Sequence, residues 1–461
     1  MTDLVTSARS LRSARPARSA RSARMAALPL TAAVVATSLL VAGCSQSAAP
    51  TITSTASASV TVTSTAGTST AATPSSPTAA APAAPPTLRG YTFPAGMVDG
   101  NSYGGKHFSR IEGVVAIPST AGPHPVAVIV HGSYPGCIDA GHDALLPEVS
   151  TTPWPEACGT ARRSQEDKLT EGPDYVHATA SVAYLARELA ARGFVAVAID
   201  VHAKEELGWG GEPEPYVLQT ALVKLHLSLL GRMSAGESLG LPWAKDLTGQ
   251  VDTTRIALVG HSSGAGYAAS ANARSEFPAL KAIVALQPAL NSPFVWKGSL
   301  TPSLVVSGQC DEQVGADEPL GIAKELAAKQ KSAVVITASV ARANHIGLVA
   351  GGGSDQIGLV RPLNTGACAT KLAPATAQGA VARLTADFLE TALAGGTAYT
   401  LGVSPDAAVT LTSATPAATV TPRTVTTLPT TVAPQSVTYD VSTTSVVPPK
   451  PADVRLINAD V

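Results

Sequence analysis

The sequence predicts one α/β domain with a mainly parallel central sheet and helices on both faces. Two observations predict it: short, continuously apolar runs recur along the middle of the chain, and segments with helical spacing lie between them. A strand covered on both faces needs such a run, because neither of its sides meets water. The runs fall at 114–117, 126–130, 194–199, 256–259, 282–286, 304–306 and 333–336.

Helical spacing follows the strands in three places. Leucine recurs at positions 222, 225 and 229, a related pattern covers 182–189, and 380–393 reads as a closing amphipathic helix. Strands that alternate with helices favour parallel pairing. We therefore expect the folded domain to span about 89–402.

Composition narrows the possible partners. The 461 residues carry 32 Lys and Arg against 33 Asp and Glu, with a net charge of −1. This balance excludes a globally basic surface, so we expect no nucleic-acid partner. We expect a monomer.

The N-terminus has the pattern of an export signal. Six arginines between positions 9 and 24 precede the uncharged run 26–43, which ends at Cys44. A basic region, a short apolar region and small residues before a cleavage point are typical of a signal peptide, here 1–43. Val41-Ala42-Gly43-Cys44 also resembles a lipobox, which predicts an acylated Cys44 and an anchor at the outer face of the cell membrane. An ordinary secretory cleavage site is the alternative, and Met25 is an alternative start.

Low-complexity segments flank the domain. Residues 44–88 are rich in Ser, Thr, Ala and Pro, and they predict a flexible tether. Residues 403–461 are rich in Thr, Val and Pro and contain few large apolar side chains. We expect this tail to be mostly disordered, with at most a hairpin at an edge.

A nucleophile motif lies at Gly260-His261-Ser262-Ser263-Gly264. It directly follows an apolar strand and precedes a helix of small residues, which is the strand–turn–helix context of a nucleophile elbow. The two glycines permit a tight turn that exposes the Ser262 hydroxyl at the sheet edge. The alternative is a tight turn with an inert serine.

A serine nucleophile needs a base, and the base needs an orienting acid. In this fold class the chain order is Ser, acid, His. Asp311 follows the run 304–306, and His345, which follows the run 333–336, is the only histidine after Ser262. Glu312 is the rival acid.

Backbone amides must also stabilise the oxyanion that forms during acyl transfer. The amide of Ser263 is one predicted donor, and Ser133, after a strand that ends in His131-Gly132, is the other, with Tyr134 beside it. We interpret His131, as well as His202 and His261, as structural.

Residues 89–395 resemble the α/β-hydrolase superfamily, and within it secreted actinobacterial hydrolases of the dienelactone-hydrolase, chlorophyllase and polyester-hydrolase (cutinase-like) type. The resemblance rests on five local patterns: His131-Gly132 before Cys137, Trp154-Pro155 before Cys158, Tyr184-Leu185-Ala186 before Gly193-Phe194-Val195-Ala196-Val197, Cys310-Asp311, and Ala343-Asn344-His345. It implies a triad of Ser262, Asp311 and His345, with Ser133 and Ser263 at the oxyanion hole. Ser263 replaces the methionine usual in polyester hydrolases, so the resemblance specifies the fold and the triad rather than the substrate.

Four cysteines follow Cys44: Cys137, Cys158, Cys310 and Cys368. An even number in an exported domain predicts two disulfides, and three pairings are possible. In one of them, Cys137–Cys158 closes the loop after His131-Gly132 and Cys310–Cys368 ties down the acid loop. No histidine spacing typical of a metal site is present, so we expect neither metal nor cofactor.

These patterns predict an exported, lipid-anchored serine hydrolase that cleaves carboxylic esters through an acyl-enzyme. A cell-envelope acyltransferase with the same triad is one alternative. A non-catalytic, wall-associated binding protein is another, and an intact triad argues against it.

Overall fold

The computed structural model describes residues 85–99, 106–133, 178–202, 214–290, 295–297, 300–329, 333–349, 366–413, 418–428 and 437–446. All of them belong to one compact unit, Ala79–Val461. The predicted signal peptide, nearly all of the predicted tether, Cys44, Tyr134, Cys137 and Cys158 lie outside the described residues.

Ten strands form the central sheet. They are β1 (Thr87–Asp99), β2 (Lys106–Ile117), β3 (His124–Val130), β4 (Val195–Ile199), β5 (Val251–His261), β6 (Leu280–Leu286), β7 (Ser303–Gly308), β8 (Val335–Val340), β10 (Val409–Ser413) and β12 (Tyr439–Val441). Their order across the sheet is β10-β8-β7-β6-β5-β3-β4-β2-β1-β12. Two further strands, β9 (Ala398–Val403) and β11 (Thr419–Thr424), pair with each other in a separate small sheet.

Six neighbouring strands, β4, β3, β5, β6, β7 and β8, are parallel to one another. β2 is antiparallel to β4, and β10 is antiparallel to β8. β4 and β7 are buried along their whole length, as their continuous apolar sequences require. The predicted mainly parallel sheet is confirmed. The carboxyl ends of its parallel strands all lie on the same side of the sheet.

Helices cover both faces of the sheet. They are α1 (Ala178–Ser181), α2 (Ala183–Ala191), α3 (Glu214–Ser234), α4 (Ser263–Ala273), α5 (Asp317–Lys329) and α6 (Pro374–Leu393). Side chains of a strand alternate between two apolar cores. Val128 packs in the core with α3, α4 and α5, whereas Ile129 packs in the core with α2 and α6.

None of the helices in the described ranges combines the length and the apolarity that crossing a bilayer requires.

The prediction of a mostly disordered tail is wrong for the described part of residues 403–461. β10 and β12 extend the two edges of the central sheet, and β11 pairs with β9. A strand that joins an existing edge gains backbone hydrogen bonds and needs few large apolar side chains, which Thr- and Val-rich segments satisfy. Val446, at the end of the described tail, is buried in the main core.

Candidate active site

Ser262 occupies a strained turn between β5 and α4. Its backbone has φ 56° and ψ −126°, a conformation that costs energy for any residue with a side chain. The flanking glycines make the turn possible: a Cβ on Gly264 would collide with the carbonyl oxygens of Val130 and His131, and one on Gly260 would collide with the backbone of Gly264. The sequence therefore forms a nucleophile elbow, with Ser262 partly exposed at the edge where the parallel strands end.

A buried carboxylate–imidazole pair lies at the same edge. Asp311 follows β7 and His345 follows β8, and Asp311 Oδ2 is 2.7 Å from His345 Nδ1. The two side chains are 0% and 2% exposed. An ionised Asp311 accepts the Nδ1 proton, which leaves His345 Nε2 as the unprotonated ring nitrogen.

The surroundings of Asp311 favour its charged form. Burial raises the pKa of this carboxyl, but the hydrogen bond with His345 and the backbone amides of Val314 and Gln313 outweigh burial and lower the pKa below its ordinary value. Those amides lie 2.8 and 3.0 Å from Asp311 Oδ1. Asp311 is thus held as an anion, and both of its carboxylate oxygens accept hydrogen bonds.

His261 connects the Ser262 turn to His345. It directly precedes Ser262, and its ring centroid lies 4.7 Å from that of His345. His261 Nε2 is 3.2 Å from the backbone oxygen of His345. The structure therefore brings Ser262, Asp311 and His345 together at one edge of the sheet.

The two predicted oxyanion residues are in contact. Ser133 follows β3, Ser263 opens α4, and the Ser133 hydroxyl donates to Ser263 Oγ at 2.9 Å. Gly264 touches the end of β3, which brings the loop after that strand against the first turn of α4. The amino end of a helix favours developing negative charge.

A disulfide joins Cys310 to Cys368, with 5.5 Å between their Cα atoms. It ties the loop that carries Asp311 to the segment before α6. The Cys310 amide also donates to the carbonyl of Ala343 at 2.9 Å, close to His345 in sequence. Structural disulfides are typical of proteins outside the cytoplasm, which agrees with export.

Among the described residues, one cluster of three buried side chains carries atoms that could bind a metal ion. It lies near Ser133 and consists of His131, Asp200 and His202. Both ring nitrogens of His131 already bind the backbone, because Nδ1 donates to the Gly132 oxygen at 2.7 Å and Nε2 accepts from the Val201 amide at 3.0 Å. His202 Nδ1 lies 2.7 Å from Asp200 Oδ2. These hydrogen bonds favour a structural role for the cluster, in which it connects the ends of β3 and β4, over a metal site.

Gln287 is a site residue that the sequence analysis did not find. It follows β6, lies between the ends of β5 and β7, and binds the backbone beside His345. The sequence feature that could have identified Gln287 is its position, because a polar residue at the carboxyl end of a buried parallel strand lies where site residues of α/β folds concentrate. His261, interpreted as structural, lies in the same network.

Comparison with known proteins gives one family match. The model of the PETase family, described as PET hydrolase-like, matches residues 166–348, less than half of the chain but including Ser262, Asp311 and His345. No curated protein matches the chain. Because the strand order, the turn at Ser262 and this match agree, we identify the chain as an ester-hydrolysing enzyme of the α/β-hydrolase superfamily.

Proposed function

We propose that this enzyme cleaves carboxylic esters through Ser262, His345 and Asp311, and that it does so outside the cytoplasm on a lipid anchor. The observation that carries the catalytic part is the Asp311–His345 pair beside the strained turn of Ser262. A paired acid and base beside a partly exposed serine is what nucleophilic catalysis needs, because a serine hydroxyl is a weak nucleophile without a base.

Acylation begins when Ser262 Oγ attacks the ester carbonyl carbon and His345 Nε2 takes the hydroxyl proton. Asp311 remains ionised and stabilises the imidazolium that forms. The amides of Ser133 and Ser263 donate to the carbonyl oxygen, which becomes an oxyanion. His345 then returns its proton to the alkoxide oxygen as the bond to the carbonyl carbon breaks, so that the alcohol leaves and an acyl-Ser262 ester remains.

Deacylation repeats these steps with water. His345 takes a proton from a water molecule, whose oxygen attacks the acyl carbon, and the same amides hold the second oxyanion. When this intermediate collapses, His345 gives the proton to Ser262 Oγ and the carboxylic acid leaves. Proton transfer and charge stabilisation come from this chain's own groups, and the mechanism uses no cofactor.

The anchor is the second part of the proposal. Cys44 ends an apolar run with small residues before it, and a long uncharged segment follows. Lipid chains on Cys44 would attach the enzyme to the membrane, and the segment 45–88 would give the domain room to move above the surface.

The catalytic part is tested with Ser262→Ala and His345→Ala. Both variants should lose hydrolysis of a p-nitrophenyl ester series, and Ser262→Ala should also lose labelling by a fluorophosphonate probe, with a nearly unchanged thermal midpoint. Ser270→Ala is the matched control, because it removes a hydroxyl from α4, the helix that directly follows Ser262. Full labelling of Ser262→Ala would identify another serine as the nucleophile.

A further inference from the structure

The segment that carries His345 is held by side chains that bind its backbone oxygens. Five of its six carbonyls between residues 344 and 349 accept a hydrogen bond from a buried side chain. Gln287 Nε2 donates to Asn344 at 3.1 Å, His261 Nε2 to His345 at 3.2 Å, Gln378 Nε2 to Gly347 and Val349 at 3.1 Å each, and Tyr184 Oη to Leu348 at 2.9 Å.

Two of these donors come from the strands beside the nucleophile. His261 ends β5 immediately before Ser262, and Gln287 follows the neighbouring strand β6. His261 Nε2 lies 3.4 Å from Gln287 Oε1. The elbow and the loop of His345 are therefore joined by hydrogen bonds as well as by packing.

The protonation state of His261 suits this role. A carbonyl oxygen only accepts, so His261 carries its proton on Nε2. Burial, and secondarily the neighbouring His345, lower the pKa of His261 to about 3, which keeps its ring neutral. A neutral ring 4.7 Å away avoids repulsion when His345 becomes positively charged during turnover.

Gln287 is held at an energetic cost. It is fully buried and has φ 46°, in the left-handed region that residues other than glycine rarely adopt. A Cβ on Gly308 would collide with its amide, so the Gln287 side chain fits against Gly308 only because that residue has no side chain. Strain of this kind persists where the surroundings fix a geometry, and it is found preferentially at functional sites.

We propose that Gln287 and His261 are positioning residues that hold the Asn344–His345 backbone so that His345 Nε2 faces Ser262 Oγ. Neither touches the substrate, and both act through His345. The inference rests on the proposed function, because it assigns the purpose of the network to the base of that reaction. Small displacements of a base from its nucleophile are costly, on the order of a hundredfold in rate for about 1 Å.

Gln287→Met tests the proposal, because methionine keeps the length and the unbranched shape but has no donor. We expect kcat to fall by about 10–100-fold while KM changes little. Asn272→Leu is the control: this buried amide near the end of α4 binds Thr301 and Ser303 at the amino end of β7, whereas Asp311 follows the carboxyl end of that strand. It should lower the thermal midpoint without lowering kcat at temperatures where the protein is folded.

A proton NMR measurement separates this proposal from the proposed function. The low-field resonance of the His345 Nδ1 proton, assigned by its loss in His345→Ala, reports the Asp311–His345 bond without any substrate. In Gln287→Met it should shift or broaden, and in Asn272→Leu it should stay in place. The proposal is overturned if Gln287→Met keeps both kcat and this resonance, or if Asn272→Leu loses kcat by the same factor. If the wild type hydrolyses no ester, the proposed function fails while the resonance still tests the positioning.

Discussion

Glu312 forms an ion pair with Lys371, with 2.7 Å between Oε1 and Nζ, whereas the adjacent Asp311 binds His345. The two neighbouring carboxylates thus have different partners. Lys371 belongs to the segment between Cys368 and α6, so the Glu312 pair connects the same two segments as the disulfide. This division favours Asp311 as the orienting acid.

Asp311→Asn should lower kcat by on the order of 10⁴, because an amide no longer favours the tautomer that leaves His345 Nε2 free to accept a proton. Glu312→Gln should lower kcat by no more than a few-fold, since the ion pair of Glu312 with Lys371 is partly exposed. Steady-state kinetics on both variants shows which of the two carboxylates orients His345. The opposite order of effects would make Glu312 the acid.

The lowered pKa of Asp311 predicts an acid-dependent loss of stability. A carboxyl whose folded pKa is below its unfolded value of about 3.9 stabilises the fold above that value, and the contribution disappears as the pH falls through the folded pKa. The difference in free energy of unfolding between the wild type and Asp311→Asn should therefore shrink as the pH falls below about 5. Urea unfolding at several pH values measures it. A constant difference would show that Asp311 titrates alike in both states.

Removing the disulfide should impair catalysis before it unfolds the protein. The bond between Cys310 and Cys368 closes a span of 58 residues that contains Asp311 and His345, and such bonds contribute roughly 2–4 kcal/mol. The double variant Cys310→Ser, Cys368→Ser should lose activity at temperatures where circular dichroism still reports a folded protein. Equal activity of this variant and the wild type would show that the ion pair and backbone bonds suffice.

The parallel sheet, the turn at Ser262 and the positions of Asp311 and His345 after neighbouring strands were predictable because their signals are local. Continuous apolar runs report burial on both faces, and Gly260 and Gly264 report the turn around Ser262 directly. The positions of Asp311 and His345 follow from the strands before them.

Gln287 and the tail strands were not predictable, since they depend on distant parts of the chain. Gln287 matters because Asn344 lies beside it in the fold, 57 residues away in sequence. β10 and β12 form because β8 and β1 offer free edges, a property that Thr- and Val-rich sequence does not encode. A low content of large apolar side chains predicted disorder there and was misleading.

The anchor proposal predicts that the mature protein begins at an acylated Cys44 and partitions into detergent. Cys44→Ser should remain unprocessed or be released from membranes, because one acyl site holds the chain at the surface. Mass spectrometry of the N-terminal peptide checks both the cleavage position and the acyl group. An unmodified Cys44, or cleavage at another position, would contradict the anchor.

The end of the tail is joined to the body of the domain by several contacts. β12 pairs with β1 in parallel, Tyr439 Oη lies 2.8 Å from Thr179 Oγ1, and the Ser442 hydroxyl donates to the Leu239 oxygen at 2.6 Å. Val446 is 4% exposed. These contacts lie at the β1 edge, across the sheet from β7 and β8, which precede Asp311 and His345.

A chain that ends at residue 428 should therefore lose stability but keep its specific activity. Burial of a side chain such as Val446 contributes about 1.5–3 kcal/mol, and the strand and hydroxyl bonds add to this, so the thermal midpoint should fall by several degrees. A chain that ends at residue 403 also loses β10 and β11 and should fall further, because β8 then becomes an exposed edge beside the His345 loop. Calorimetry and ester hydrolysis on the two shortened chains measure both effects. If both keep the midpoint of the full chain, the tail strands contribute nothing to the stability of the fold.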